Sequence, residues 1–198
     1  TLVHTGKDVG TYDAYSDQFG YDLIGGATIT PRTLTIGTVA AQTKTYDGTT
    51  AADAAQFHAT LNNVVAGEEN SVSATAGGAA YNDKNVAAAN TVNYTGVALT
   101  GTGAGNYTLA ATTAQGAGTI SRRALTVGTV TAQTKIYDGT TSADASQFHA
   151  GLNNVVAGEE SSVTATATGA AYNDKNVAAA NKVGYTGVAL TGTGAGNY

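Results

Sequence analysis

The heptapeptide Lys44-Thr-Tyr-Asp-Gly-Thr-Thr50 returns almost unchanged as Lys135-Ile-Tyr-Asp-Gly-Thr-Thr141. The offset of 91 positions that carries Tyr46 to Tyr137 also carries Tyr81 to Tyr172 and Tyr107 to Tyr198. Positions 46–107 and 137–198 align over 62 residues with 8 differences and no gap. A period of this kind decides architecture before any single residue is interpreted, because each copy must form the same unit. The 198 residues therefore divide into modules of about 90, the usual size of an Ig-like sandwich. Each is large enough to bury a core without disulfides. That matters because the chain has no cysteine, which excludes both a disulfide framework and thiolate metal sites.

Three regions follow. Residues 1–30 read as the tail of a preceding β repeat, because Tyr21-Asp-Leu and Ala27-Thr-Ile-Thr parallel Tyr107-Thr-Leu and Gly118-Thr-Ile-Ser. Residues 31–121 form a first module and residues 122–198 a second. The second stops at Tyr198, before the equivalent of 108–120. It is therefore expected to lack its closing hairpin and to leave an open sheet edge. Its start and end read as those of a piece of a longer array. Within a module, short runs alternate apolar and polar residues, as half-buried strands do; Leu34-Thr-Ile36, Val72/Ala74/Ala76, Val92/Tyr94 and Val97/Leu99 are the clearest. Asp47-Gly48 and 101–105 supply turn signals. Residues 51–61 fit either a strand or a short helix. About seven strands per module predict an all-β fold of tandem Ig-like antiparallel β-sandwich modules in an elongated array.

The two copies provide an internal check on which side chains are buried. Thr91→Lys182 and Asn93→Gly184 flank the unchanged Val92 and Tyr94. Ser73→Thr164 and Gly77→Thr168 fall out of phase with Val72, Ala74 and Ala76. Change confined to one face is what a sheet buried on one side predicts. Tyr46, Tyr94 and Tyr107 each sit in or beside such an apolar set and are expected in the core or at its rim.

Composition excludes several function classes. Charged residues are 12% of the chain and the net charge is −5, whereas nucleic-acid binding wants a basic face. No apolar run is long enough to span a membrane as a helix. The glycine-rich 101–105 has Asn106 where a dinucleotide loop needs its third glycine, so it reads as a hairpin connection. His58 and its copy His149 could be grouped with Asp53 in a hydrolytic triad, but no nucleophile motif accompanies them. Asp47, Glu68, Glu69 and Asp83 are the candidate ligands if calcium binds, calcium being the one cofactor considered, although no EF-hand spacing is present. Tyr81, Asn82, Asp83 and Asn85, with their copies Tyr172, Asn173, Asp174 and Asn176, are the candidate binding residues: an aromatic beside an amide-rich loop.

Taken together, Lys-x-Tyr-Asp-Gly-Thr-Thr, Asn-Val-Val-Ala-Gly-Glu, Asn-Asp-Lys-Asn-Val and Gly-Ala-Gly-Asn-Tyr resemble the YDG repeats of very large bacterial surface proteins, including filamentous-haemagglutinin-like adhesins. The resemblance covers positions 33–198 and includes no catalytic residue. It implies a non-enzymatic structural stalk of a secreted adhesin or biofilm-matrix protein at the bacterial cell surface. The partners it implies are neighbouring repeats of the same chain. The alternative is that the repeats themselves bind glycan or the same protein on another cell. The missing hairpin adds a further expectation, strand addition head to tail between chains.

Overall fold

In a computed structural model the described residues are 9–14 and 25–198. They form seventeen short β-strands, with single 3₁₀ turns and no α-helix among them. The remainder of the expected preceding repeat, 1–8 and 15–24, lies outside the described residues. Two compact units result. The first holds the residues up to Gln42 with Thr50–Asn82 and Asn90–Thr119, and the second holds Thr43–Thr49, Asp83–Ala89 and Ile120–Tyr198. The units thus depart from the expected boundaries at two loops. Two segments of the first sequence copy, the Tyr-Asp-Gly turn and the turn after Asp83, belong to the unit built from the second copy.

The strands through the first copy are β1 (Gly10–Ala14), β2 (Gly25–Ile29), β3 (Arg32–Val39), β4 (Gln42–Thr45), β5 (Ala59–Asn62) and β6 (Ser73–Thr75). They continue with β7 (Gly78–Tyr81), β8 (Thr91–Thr95), β9 (Ala98–Thr100), β10 (Tyr107–Leu109) and β11 (Thr113–Ser121). One sheet has the order β10-β3-β5 and another the order β4-β11-β8-β7, while β1-β2 and β6-β9 are two-stranded. The described ladders are antiparallel with one exception: β10 runs parallel to β3, with Tyr107 opposite Arg32 and Leu109 opposite Leu34. That corrects the purely antiparallel expectation. The pairing is possible because the chain between β3 and β10 is long enough for the crossover that a parallel pair needs.

The first unit's core follows the period-2 pattern. Leu34, Val72 and Tyr107 are buried together, with Leu61, Val64, Leu99 and Leu109 packed against them. Each such side chain contributes roughly 1.5–3 kcal/mol by leaving water. Val92 and Tyr94 of β8 are buried, and the Phe57 ring lies 4.8 Å from that of Tyr94. The substitutions between copies fall as expected at β6, where Ser73 is exposed and Val72 and Ala74 are buried. The ambiguous segment 51–61 proves composite. Ala51 bridges to Ala80, a 3₁₀ turn spans Ala54–Gln56 with Asp53 capping its Ala55 amide, and β5 follows.

In the second unit the strands are β12 (Thr126–Val130), β13 (Ala150–Asn153), β14 (Thr164–Thr166), β15 (Gly169–Tyr172), β16 (Val183–Thr186) and β17 (Ala189–Thr191). They pair as β12-β13, β14-β17 and β15-β16. Pairing of β12 with β13 repeats that of β3 with β5, including a register shift at the same place. Residues 133–136, equivalent to β4, form no strand.

Candidate functional site

The Lys-x-Tyr-Asp-Gly-Thr-Thr motif is a self-contained turn. Asp47 Oδ1 accepts from the Thr49 amide at 2.9 Å, the Thr49 hydroxyl at 2.9 Å and Lys44 Nζ at 2.7 Å. Lys44 Nζ also reaches the Thr49 carbonyl at 2.8 Å. Gly48 turns the chain at φ +79°, a conformation that glycine adopts without penalty. The Lys44 ammonium and the Thr49 donors outweigh the effect of burial and hold the Asp47 carboxyl below its ordinary value. In the second copy Lys135 Nζ meets Asp138 at 2.9 Å and the Thr140 carbonyl at 2.8 Å, and the Lys135 hydrogen bond lowers the Asp138 pKa to about 2.

The first copy's turn belongs to the second unit, and within it Tyr46 is 1% exposed. The Tyr46 hydroxyl donates to the Glu159 carboxylate, at 2.7 Å from Oε1 and 2.9 Å from Oε2. Lys84 Nζ lies 3.1 Å from Oε1, and the Tyr198 hydroxyl donates to Oε2 at 2.9 Å. One carboxylate thus accepts from two phenols and an ammonium. The Tyr46 and Tyr198 rings meet edge to face at 5.5 Å, an arrangement aromatic quadrupoles favour.

Local structure aims each group. Gly158, at φ +85°, turns the Val-Val-Ala-Gly-Glu segment. The Glu159 amide then bonds the Val156 carbonyl at 3.0 Å, and the Glu159 carbonyl receives the Ser162 amide at 2.9 Å. Asp83 Oδ1 accepts from the Asn85 amide at 2.7 Å, closing the turn that carries Lys84. The Val86 amide donates to Asn197 Oδ1 at 3.0 Å, and Asn197 Nδ2 returns to Asn85 Oδ1 at 2.9 Å. Tyr46, Lys84, Asn85, Glu159, Gly194 and Asn197 border a cleft of about 290 Å³.

Protonation follows from this environment. Burial, then the Glu159 carboxylate, pushes the Tyr46 phenol well above its ordinary value. Burial would raise Glu159, but the donors Tyr46, Tyr198 and Lys84 outweigh it and hold the carboxyl below its ordinary value. The cluster is therefore a neutral-phenol, ionised-carboxylate lock across the ordinary pH range. It offers no activated nucleophile.

The first unit carries a related arrangement. The Tyr107 hydroxyl donates to Glu68 Oε2 at 2.7 Å, and the Val9 amide donates to Asn106 Oδ1 at 2.8 Å. The latter matches Val86 on Asn197, and Val9 ends a Lys7-Asp-Val9 run resembling Lys84-Asn-Val86. The same acceptor thus receives a valine amide twice, from two different stretches of chain.

The expected site residues are placed differently. Tyr81 is buried, 3% exposed, and is not offered to a ligand. Asn82 Oδ1 accepts the Asn90 and Thr91 amides at 3.0 Å each, and Asn173 repeats this with Asn181 and Lys182. Asp174 accepts the Asn176 amide at 2.7 Å, and Tyr172 is half-buried. These amides and carboxylates shape turns. Of the candidate calcium ligands, Asp47 and Asp83 serve as above, Glu68 holds Tyr107, and Glu69 accepts the Gly67 amide at 2.9 Å. No group of three His, Asp or Glu residues suited to a metal occurs among the described residues. His58 is exposed, with Nδ1 3.1 Å from the Gln56 carbonyl, while Asp53 caps the 3₁₀ turn. Residues 101–105 lead into a 3₁₀ turn at Ala104–Asn106 and then β10, with no helix following. Among the described residues no helix is long and apolar enough to cross a membrane.

Sequence reading missed the Tyr46–Glu159–Lys84 lock. Its signal was present, since all three motifs recur in both copies. A repeat read singly does not reveal that the Tyr-Asp-Gly turn of one copy meets the Gly-Glu turn of the next. A family model described as YDG domain matches residues 30–114 and 121–198. No curated protein and no solved structure matches the chain.

Proposed function

The chain belongs to the YDG domain family, and from that premise we propose that it is a structural repeat region: the stalk of a secreted bacterial adhesin or biofilm-matrix protein. In this reading its modules are Ig-like sandwiches strung in an elongated array at the cell surface, and they are not enzymes. The observation that carries the reading is Glu159, which ties the first copy's Tyr46 and Lys84 to the second copy's Tyr198. Hydrogen bonds to a charged group contribute about 1.5–3 kcal/mol each. They would resist bending at a joint that recurs once per repeat. A joint built from motif residues lets any number of copies be added, so reach grows by duplication. The near-identity of the two copies fits a part whose role is length.

A second reading, that modules adhere to glycan or to one another between cells, draws on the exposed Ile136, Tyr137 and Val177. Beads coated with the folded chain separate the two. The stalk reading expects beads that neither clump nor capture on glycan surfaces, and a single-molecule bending stiffness that falls in Glu159→Ala. Clumping or glycan capture by wild-type chain, with stiffness unchanged by the substitution, overturns it in favour of adhesion.

A further inference from the structure

We propose that the corner formed by Glu68 and Asn106, like that formed by Glu159 and Asn197, is a socket for a short turn of lysine, asparagine or aspartate, and valine, and that the turn can be supplied by a module of another kind. The glycine-rich run builds the corner. The Gly103 and Gly194 amides donate to the Ser71 and Ser162 carbonyls at 2.9 Å each. A Cβ on Gly101 would strike the Ser71 carbonyl, and one on Gly192 the Ser162 carbonyl, so glycine lets the run lie against that turn. Ser71 Oγ in turn donates to the Glu68 carbonyl at 2.7 Å, and Ser162 Oγ to that of Glu159 at 2.8 Å. The run ends at Asn106 and Asn197, whose amides bond the Gly103 and Gly194 carbonyls at 3.0 Å and 2.9 Å. Asparagine and glutamate are thereby fixed beside each other. The next residue, Tyr107 or Tyr198, donates its hydroxyl to that glutamate at 2.7 Å or 2.9 Å. None of these residues differs between the copies.

Two different segments enter the two corners. The Val86 amide donates to Asn197 Oδ1 at 3.0 Å, and the Val9 amide donates to Asn106 Oδ1 at 2.8 Å. Val86 lies inside the first YDG match, which begins at residue 30, and Val9 lies outside it. Val9 leads directly into β1 at Gly10, whereas after Val86 the next strand, β8, begins only at Thr91. What the segments share is three residues, Lys7-Asp8-Val9 and Lys84-Asn85-Val86. In the second corner each of the three has a task. Lys84 Nζ lies 3.1 Å from Glu159 Oε1, Asn85 Oδ1 accepts from Asn197 Nδ2 at 2.9 Å, and Val86 gives its amide. Aspartate offers the same kind of acceptor oxygen as asparagine, and lysine recurs at the same spacing. The socket therefore reads a cation, an acceptor oxygen and a main-chain amide, and nothing further of the module that brings them. A YDG module can thus follow a repeat of a different family. The inference concerns how modules join, and it holds whether the array spaces or adheres.

The test is residue-resolved amide hydrogen exchange on the full 198-residue chain. Asn106→Ala should lower protection of the Val9 amide at least about tenfold and leave Val86 unaltered, and Asn197→Ala should do the reverse. Lys7→Ala and Lys84→Ala should each lower protection of the valine two positions on by about twofold to fivefold, the range for a partly exposed ion pair. Swapping the middle residues, with Asp8→Asn and Asn85→Asp in one chain, should keep both valine amides within about twofold of wild type. If Lys84→Ala acts on Val86 while Lys7→Ala leaves Val9 unaltered, the proposal is overturned, because the two corners would then hold their segments by different means. Loss of protection at either valine in the swapped chain also overturns it, as does a Val9 amide that Asn106→Ala fails to release.

Discussion

The two copies share nearly every residue from 46 to 107 and from 137 to 198, yet their side chains meet different surroundings. Tyr46 is 1% exposed and Tyr137 57%. Val92 and Tyr94 are buried, whereas Val183 and Tyr185 are half-buried. Residues 42–45 form β4, whereas 133–136 form no strand. Short-range hydrogen bonding is unaffected by this difference. Gln42 Nε2 reaches the Asp53 carbonyl at 2.9 Å and Tyr94 at 3.2 Å, and Gln133 reaches the Asp144 carbonyl at 2.9 Å and Tyr185 at 3.3 Å. Turns, caps and amide pairs are therefore properties of the motif itself. Burial and strand pairing depend on β11 and on the next copy's Glu159. The first copy is locally specified by its motifs and buried by its own β11 and by Glu159 of the second copy.

The largest effect expected from this comparison is at the paired tyrosines. Tyr94→Ala should destabilise the first unit by about 3–5 kcal/mol, the range for buried aromatics. Tyr185→Ala should cost less than half as much, because its site is already open. Hydrogen exchange resolved by unit measures each separately, and equal losses would break the comparison. Glu159→Ala comes next. It leaves two phenols and an ammonium without their acceptor, at about 1–3 kcal/mol, read as faster exchange at Thr43–Thr49 and Asp83–Ala89. Tyr46→Phe should then cost about 1 kcal/mol, while Tyr137→Phe stays within about 0.5 kcal/mol. The smallest contrast is at the turn glycines. Gly48 and Gly139 both have positive φ, +79° and +77°, so alanine strains each by about 1–2 kcal/mol. Only at Gly48 would the new Cβ also meet Val156 Cγ1 at 2.9 Å, so Gly48→Ala should be the worse of the two by thermal melting.

The lock also sets a pH dependence. The Glu159 carboxyl is held below its ordinary value, so its contribution is present above about pH 4.3, the usual glutamate range, and is lost as pH falls through the lowered value. The Tyr46 phenol is held above its ordinary value. Its contribution is therefore full below about pH 10 and is lost as pH rises from there toward the raised value. Exchange at Thr43–Thr49 should accordingly be slowest between these limits and quicken on both sides.

Much of the fold was legible because β-structure writes its burial as alternation. Val72 and Ala74, and Val92 and Tyr94, were identifiable from their exposed or changeable neighbours. The turn at Asp47-Gly48 was readable from its residue types. The parallel β10–β3 pairing was not, because partner and direction depend on contacts distant in sequence that a single strand's pattern does not encode. The surroundings of the candidate binding residues were not legible for a related reason. An amide-rich loop beside a tyrosine has the composition of a ligand surface, but the composition does not show that Asn82 is occupied with backbone amides or that Tyr81 points into the core. Glu68 and Glu69 were read as possible metal ligands. The carboxylate equivalent to Glu68, Glu159, receives the tyrosine hydroxyl of another copy, a relation visible only when two copies are folded together.

The most direct test of this account is to titrate the Tyr46 hydroxyl by NMR of ring-labelled tyrosine in the wild-type chain and in Glu159→Gln. The account predicts that Tyr46 stays protonated well past pH 10 in the wild type, and that its titration moves down when the carboxylate is replaced. A Tyr46 that titrates near the ordinary phenol value of about 10 in both chains would contradict it.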